Sequence, residues 1–85
     1  MEDRQKMKLK EYPQDYFLVL QNDPYREGRI TVNLMDHSFT VEIDVVQKES
    51  RKIFKHVDIL YHFDDEQEAI DAGVQRLSQF LKGEG

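Results

Sequence analysis

Three histidines and several close pairs of carboxylates are the side chains of this 85-residue chain whose types and spacing invite chemistry. His56, Asp58 and His62 stand at even spacing, so a strand carrying them projects all three to one face. Imidazole and carboxylate together are ligand chemistry for zinc and similar ions. Residues 56 and 62 are about 20 Å apart along an extended strand at ~3.3 Å per residue, too far to share one ion. His56 with Asp58, or either histidine with a cross-strand acid such as Glu42 or Asp44, keeps a geometry that ligation allows. Polar positions on the wet face of a sheet account for the same residues. The sequence therefore assigns no metal site and no cofactor.

Catalytic chemistry has poorer material. Glu42 with Asp44, and the cluster Asp64, Asp65 and Glu66, resemble acid-base pairs only by proximity, because such pairs work when a pocket shifts one pKa. Cysteine is absent. Ser38 and Ser50 fall in turns and Ser78 on the outer part of a helix, with no base and orienting group around them. Gly28, Gly73, Gly83 and Gly85 match no phosphate-binding spacing. No catalytic residue is expected, and the chain is read as a non-enzyme.

Composition bounds the rest. A 10.2 kDa chain with 39% apolar residues supports one small domain of modest stability. The lack of cysteine removes disulfides and thiolate metal sites and fits a reducing compartment, so the cytoplasm is the expected location. The opening residues MEDRQKMKLK carry charge throughout, unlike a leader peptide, and no apolar run approaches the ~20 residues that cross a membrane. With 17 acidic against 12 basic residues, the net charge of −5 disfavours a phosphate backbone as the main partner. The exception is local, since residues 47–55 hold four basic groups against one acidic.

These side chains must be positioned by a few elements. Residues 1–13 show no sustained apolar period and are read as a polar, disordered tail preceding a single domain over 14–83. The run Tyr16-Phe17-Leu18-Val19-Leu20 predicts a strand whose inward face the period leaves open. Asn22-Asp23-Pro24 marks a turn, with Gly28 read as part of it, and a second strand begins near Arg29 with Ile30, Val32 and Leu34 on one face. Asp36-His37 makes a tight hairpin. Phe39, Val41, Ile43 and Val45 then alternate with Thr40, Glu42 and Asp44, the pattern of a half-buried strand. After a polar reversal at 47–51, Val57, Ile59, Tyr61 and Phe63 share one face of a fourth strand, and His56, Asp58, Leu60 and His62 the other.

The period changes at Asp64, read as a helix N-cap with Gln67 at capping-box spacing. Ala69, Ile70, Gly73, Val74, Leu77, Phe80 and Leu81 form the apolar stripe of that helix, which Lys82-Gly83 stops. Gly73 costs roughly 1 kcal/mol of helix propensity against alanine, so its place in the stripe is read as permitting close approach to the sheet. The expected fold is a two-layer α+β domain, a four-stranded antiparallel meander with one C-terminal helix on one face.

The segment FDDEQEAIDAGVQRLSQFL after a short antiparallel sheet resembles the grammar of the small arm-type DNA-binding domains of phage integrases. That resemblance covers roughly half of the chain and implies a sheet laid in the major groove. The chain departs from it at the outward positions Glu42, Asp44 and Asp58, where basic and aromatic groups meet nucleic acid. Lys48, Arg51, Lys52 and Lys55 are the residues through which the alternative, nucleic-acid reading would act, as a basic loop on the phosphates.

The favoured reading is a protein-interaction module that binds itself, as a homodimer, or a protein partner. One helix covers one sheet face, leaving the other face and the sheet edges for a partner. Met35, Phe54, Leu60 and His62 are the expected contact residues, with Leu18 and Val46 as further apolar positions on that face.

Overall fold

The computed structural model describes residues 11–84. The alternation of β-branched and polar residues is realised as four strands, β1 (Gln14–Val19), β2 (Arg26–Met35), β3 (Ser38–Gln47) and β4 (Ile53–Phe63), followed by the helix α1 (Glu66–Gln79). The strands pair antiparallel in chain order, each with its sequence neighbour. The helix packs on one face of this meander, giving the two-layer α+β arrangement expected. Most of the expected tail lies outside the described residues. Tyr12, however, already packs edge-on against Phe39, with ring centroids 5.8 Å apart, so the packed domain begins before residue 14.

The core forms where β-branched side chains of adjacent strands face each other beneath the helix. Ile30 stands opposite Ile43 and Val32 opposite Val41, all four wholly buried, and Ala69 and Leu77 descend on them from α1. Register also settles the face of β1. Tyr16 and Leu18 align with Ile30 and Gly28 and pack toward the core, so Phe17 and Val19 turn to the opposite face.

Local chemistry explains the connections. At the β2–β3 hairpin Asp36 and His37 both take positive φ, 49° and 70°, as a two-residue turn matched to the strand twist requires. Between β3 and β4 the chain turns through Arg51 at φ 62°, with Arg51 N–H donating to Gln47 O and Gln47 N–H to Lys52 O. The helix starts one residue later than the sequence suggested. Asp65, in extended conformation, is the N-cap and accepts from Glu68 N–H at 3.3 Å, while Gln67 instead bonds Asp71 one turn on. The chain leaves α1 through a widened turn, Phe80–Glu84, in which Gly83 at φ 143° supplies the expected stop.

Two glycines set the spacing between the layers. A Cβ at Gly73 would stand 2.9 Å from Val41 Cγ2 and 3.0 Å from Ile30 Cδ1, which fits the close approach inferred from the stripe. Gly28 is not a turn residue: it lies within β2, where a Cβ would stand 2.5 Å from Leu77 Cδ2. One absent side chain on the helix and one on the sheet thus bring α1 down onto β2 and β3.

The strand β4 breaks its period three times. Its register with β3 shifts between Phe39 and Val41, between Ile43 and Asp44, and between Val45 and Val46. Each bulge bends the strand and re-aims the side chains around it. As a result Leu60, expected on the open face, is half-buried and packs against the core with Val57 and Phe63. Asp58 is likewise on the helix side, where its Oδ2 accepts from Arg76 Nε at 2.9 Å.

The Arg76 hydrogen bond, together with the Ile59 backbone N–H, holds the Asp58 carboxyl below the ordinary aspartate range. A lowered folded-state pKa means the folded chain binds that proton less tightly than the unfolded chain. The stabilisation is therefore complete above the unfolded pKa of about 4 and is lost as pH falls through the folded value. Asp58 and Arg76 keep 37% and 31% of their side-chain exposure, so solvent screens the pair and it contributes less than about 1 kcal/mol. Urea unfolding of Arg76→Met should show a deficit against wild type at pH 7 that is smaller at pH 3. A deficit equal at both pH values would assign it to lost packing of the arginine stem.

Candidate functional site

The face of the sheet away from α1 is built from side chains that alternate with the core. Arg29 of β2, Glu42 and Asp44 of β3 and His56 of β4 meet there. Strand pairing sets Arg29 beside Asp44 and Asp44 beside His56. The second bulge is what delivers the histidine: Ile43 faces Asp58, and the next β3 residue, Asp44, faces His56 instead of Val57. Val57 and Asp58 both turn to the helix side, and the imidazole arrives over the two acids.

The geometry is tight. Arg29 Nη2 donates to Asp44 Oδ2 at 3.1 Å, and His56 Nδ1 lies 2.9 Å from Asp44 Oδ1 and 3.4 Å from Glu42 Oε2. Asp44 is wholly buried although the alternation marks it as wet, because arginine and imidazole from the flanking strands close over it. Glu42 and His56 stay partly open to solvent, at 37% and 50% side-chain exposure. The arrangement is a charge-paired cluster with one buried and one accessible carboxylate converging on one ring nitrogen. One nitrogen proton can serve only one of those carboxylates well, which gives the cluster capacity for a further positive charge.

A second cluster occupies the same face nearer the β3–β4 loop. Arg51 reaches back across the sheet to lay its guanidinium 3.9 Å from the centroid of the Phe17 ring, with Nε 3.1 Å from Glu27 Oε2. The latter is an ion pair whose angle falls short of a hydrogen bond. Stacking a cation on an aromatic face is favourable, and here it joins the loop to β1. Arg51 is therefore engaged within the fold, while Lys48, Lys52 and Lys55 remain exposed or nearly so on and beside the loop.

The four expected contact residues are not brought together. Leu60 belongs to the core side, so Leu60→Glu would damage the fold before it reported on a surface. Met35 sits at the β2–β3 hairpin and is 51% exposed, and Phe54 at the opposite end of the sheet is 56% exposed beneath Arg26, whose Cζ lies 4.2 Å from its ring. His62 is exposed and takes φ 70° in the first bulge. Leu18 faces the helix side and Val46 is wholly buried, so neither supplies an open apolar patch.

Three other exposed apolar residues, Val19, Val74 and Leu81, do come together where β1 meets the end of the helix. Leu18, Leu20, Val74, Leu77 and Leu81 line a shallow groove with Val19 at its rim. Val19 is 85% exposed, Leu81 49% and Val74 40%. The helix lies over β2, β3 and β4 and leaves this margin uncovered. The sequence carried the signal in the unbroken run from Tyr16 to Leu20, which offers apolar side chains to both faces of an edge strand. Among the described residues, no helix is long and apolar enough to cross a membrane. Comparison with protein-family models, with curated proteins and with solved structures gives no match to this chain.

Proposed function

We propose that the protein is a small non-enzymatic interaction module that self-associates by adding the β1 edge of one copy to the β1 edge of another. The observation that carries this reading is the difference between the two edges of the sheet. The β4 edge has three bulges and a lysine, Lys55, devices that deter strand addition. The β1 edge is regular in its pairing with β2 and carries no charge from Tyr16 to Leu20. An antiparallel strand pairs with a copy of itself about a two-fold axis, so this edge is complementary to its own image. With the two-fold axis near Val19, at the end of β1, such a pairing would also set the apolar margins at Val19, Val74 and Leu81 beside one another, adding burial to the backbone hydrogen bonds.

The acidic centre of the open face, together with the engagement of Arg51 within the fold, weighs against nucleic acid as the partner. Sedimentation equilibrium tests the proposal. The wild-type chain should move at twice its 10.2 kDa monomer mass at tens to hundreds of micromolar, and Val19→Lys at 10.2 kDa with its melting temperature extrapolated to low concentration unchanged. Phe54→Ser, on the opposite edge strand, should leave the dimer intact. A wild-type monomer throughout this range, or a dimer indifferent to Val19→Lys, would remove the β1 edge from consideration.

A further inference from the structure

We propose that Glu42, Asp44 and His56 form a binding site for a divalent transition-metal ion of the zinc class. The atoms that would hold it are Glu42 Oε2, Asp44 Oδ1 and His56 Nδ1, all within 4.8 Å of one another. Ligand atoms about 2.1 Å from an ion stand roughly 3.0 to 3.4 Å apart in octahedral and tetrahedral geometry. The separations of His56 Nδ1 from the two carboxylate oxygens, 2.9 and 3.4 Å, lie at those values, and the two oxygens stand within 4.8 Å of each other.

Three features separate this cluster from a chance gathering of acids. The imidazole nitrogen stands at the point where both carboxylates converge, and a nitrogen with two oxygens favours zinc-class ions over magnesium or calcium. The bulge that turns Val57 and Asp58 inward is what places that nitrogen there, so the backbone itself departs from regular pairing to form the set. Arg29 binds Asp44 through Oδ2 and leaves Oδ1 directed at His56, the outer-sphere arrangement that orients a ligating carboxylate. Charge agrees as well. Two carboxylates against one guanidinium give these three side chains one net negative charge, which a divalent cation offsets. The open sides of Glu42 and His56 leave the remaining coordination positions to water or to a ligand from a partner.

Zinc titration of the full chain, followed by calorimetry and by the histidine ring signals in NMR, tests the assignment. Binding should saturate at one ion per chain, with the largest shifts at His56 and with magnesium failing to compete. His56→Ala and Glu42→Gln, both at partly exposed positions, should each weaken zinc binding by about tenfold or more while retaining the wild-type far-ultraviolet spectrum. The double variant His37→Ala/His62→Ala should bind as wild type does. Unsaturable binding, or equal affinity in His56→Ala, would overturn the proposal, as would loss of binding in the His37/His62 variant alone. The assignment stands apart from the β1 edge, and a chain that binds zinc as a monomer would support the one while removing the other.

Discussion

Gly73→Leu is expected to lower the melting temperature by more than about 12 °C. The loss follows from what lies beneath Gly73. Ile30 and Val41 are both wholly buried, and their methyl groups already stand 2.9 to 3.1 Å from where a Cβ would be. Both are β-branched and stiff at χ1, and each is held by its cross-strand partner, so they have little freedom to retreat. A leucine must therefore lift the helix, opening space around Ala69 and Leu77 and forfeiting part of the burial that holds the two layers together. Overpacking of this kind costs about 3 kcal/mol, and each kcal/mol moves the midpoint of a domain this size by roughly 4 to 8 °C. Gly73→Ala separates sterics from propensity. Alanine gains about 1 kcal/mol in an unconstrained helix, yet here it should give a net loss, because one methyl group already exceeds the space available. A stabilised alanine variant and a near-native leucine variant in thermal melts by circular dichroism would show that the helix stands farther from the sheet.

That glycine was legible because two local rules conflict at one position: the apolar stripe calls for a side chain and the residue has none. Gly28 sent no such signal, since an Asx-Pro turn just before it offered a sufficient reason for a glycine. The clean alternation of β3 fixed its inward face from sequence, as did the cap, stripe and stop of the helix to within a residue. The candidate sites fared differently. Each bulge in β4 shifts the period by one, so the faces of His56, Asp58, Leu60 and His62 cannot be read by counting in twos. Counting placed His56 with Asp58 and His62 and left a cross-strand acid such as Glu42 or Asp44 as the alternative; the fold separates those three and gathers His56 with Glu42 and Asp44. Nor does alternation report that a polar residue on the open face is buried, because the cover over Asp44 comes from long side chains on neighbouring strands and not from its own. The β1 edge was half legible: the apolar run was plain, but whether the helix would cover it depended on how α1 crosses the sheet.

Replacing Asp44 by valine, measured by urea unfolding in chelator-treated buffer, should remove about 3 kcal/mol of stability, a large share of the roughly 4 to 13 kcal/mol expected for a chain of this length. The shape of the side chain is nearly retained, so the cost lies in the partners left behind. Arg29 keeps only 20% of its side-chain exposure and loses the carboxylate that balances its charge, whereas His56 is half-exposed and regains water. Arg29 Nε already lacks a hydrogen-bond partner, which leaves the guanidinium dependent on Asp44 for its compensation. If that account is right, the charges owe their stability to one another and contribute little net. The double variant Arg29→Met/Asp44→Val should then recover to within about 1 kcal/mol of wild type, since an apolar pair avoids the desolvation that both ions incur. A double variant as unstable as the sum of the two single ones would instead mean that each charge has separate support, Asp44 from His56 and Arg29 from groups other than Asp44. A neutral double variant has a further consequence for the sheet face. It lacks the Asp44 carboxylate of the proposed metal site while keeping the fold, so zinc should raise the midpoint of the wild-type chain and leave that of the double variant unchanged.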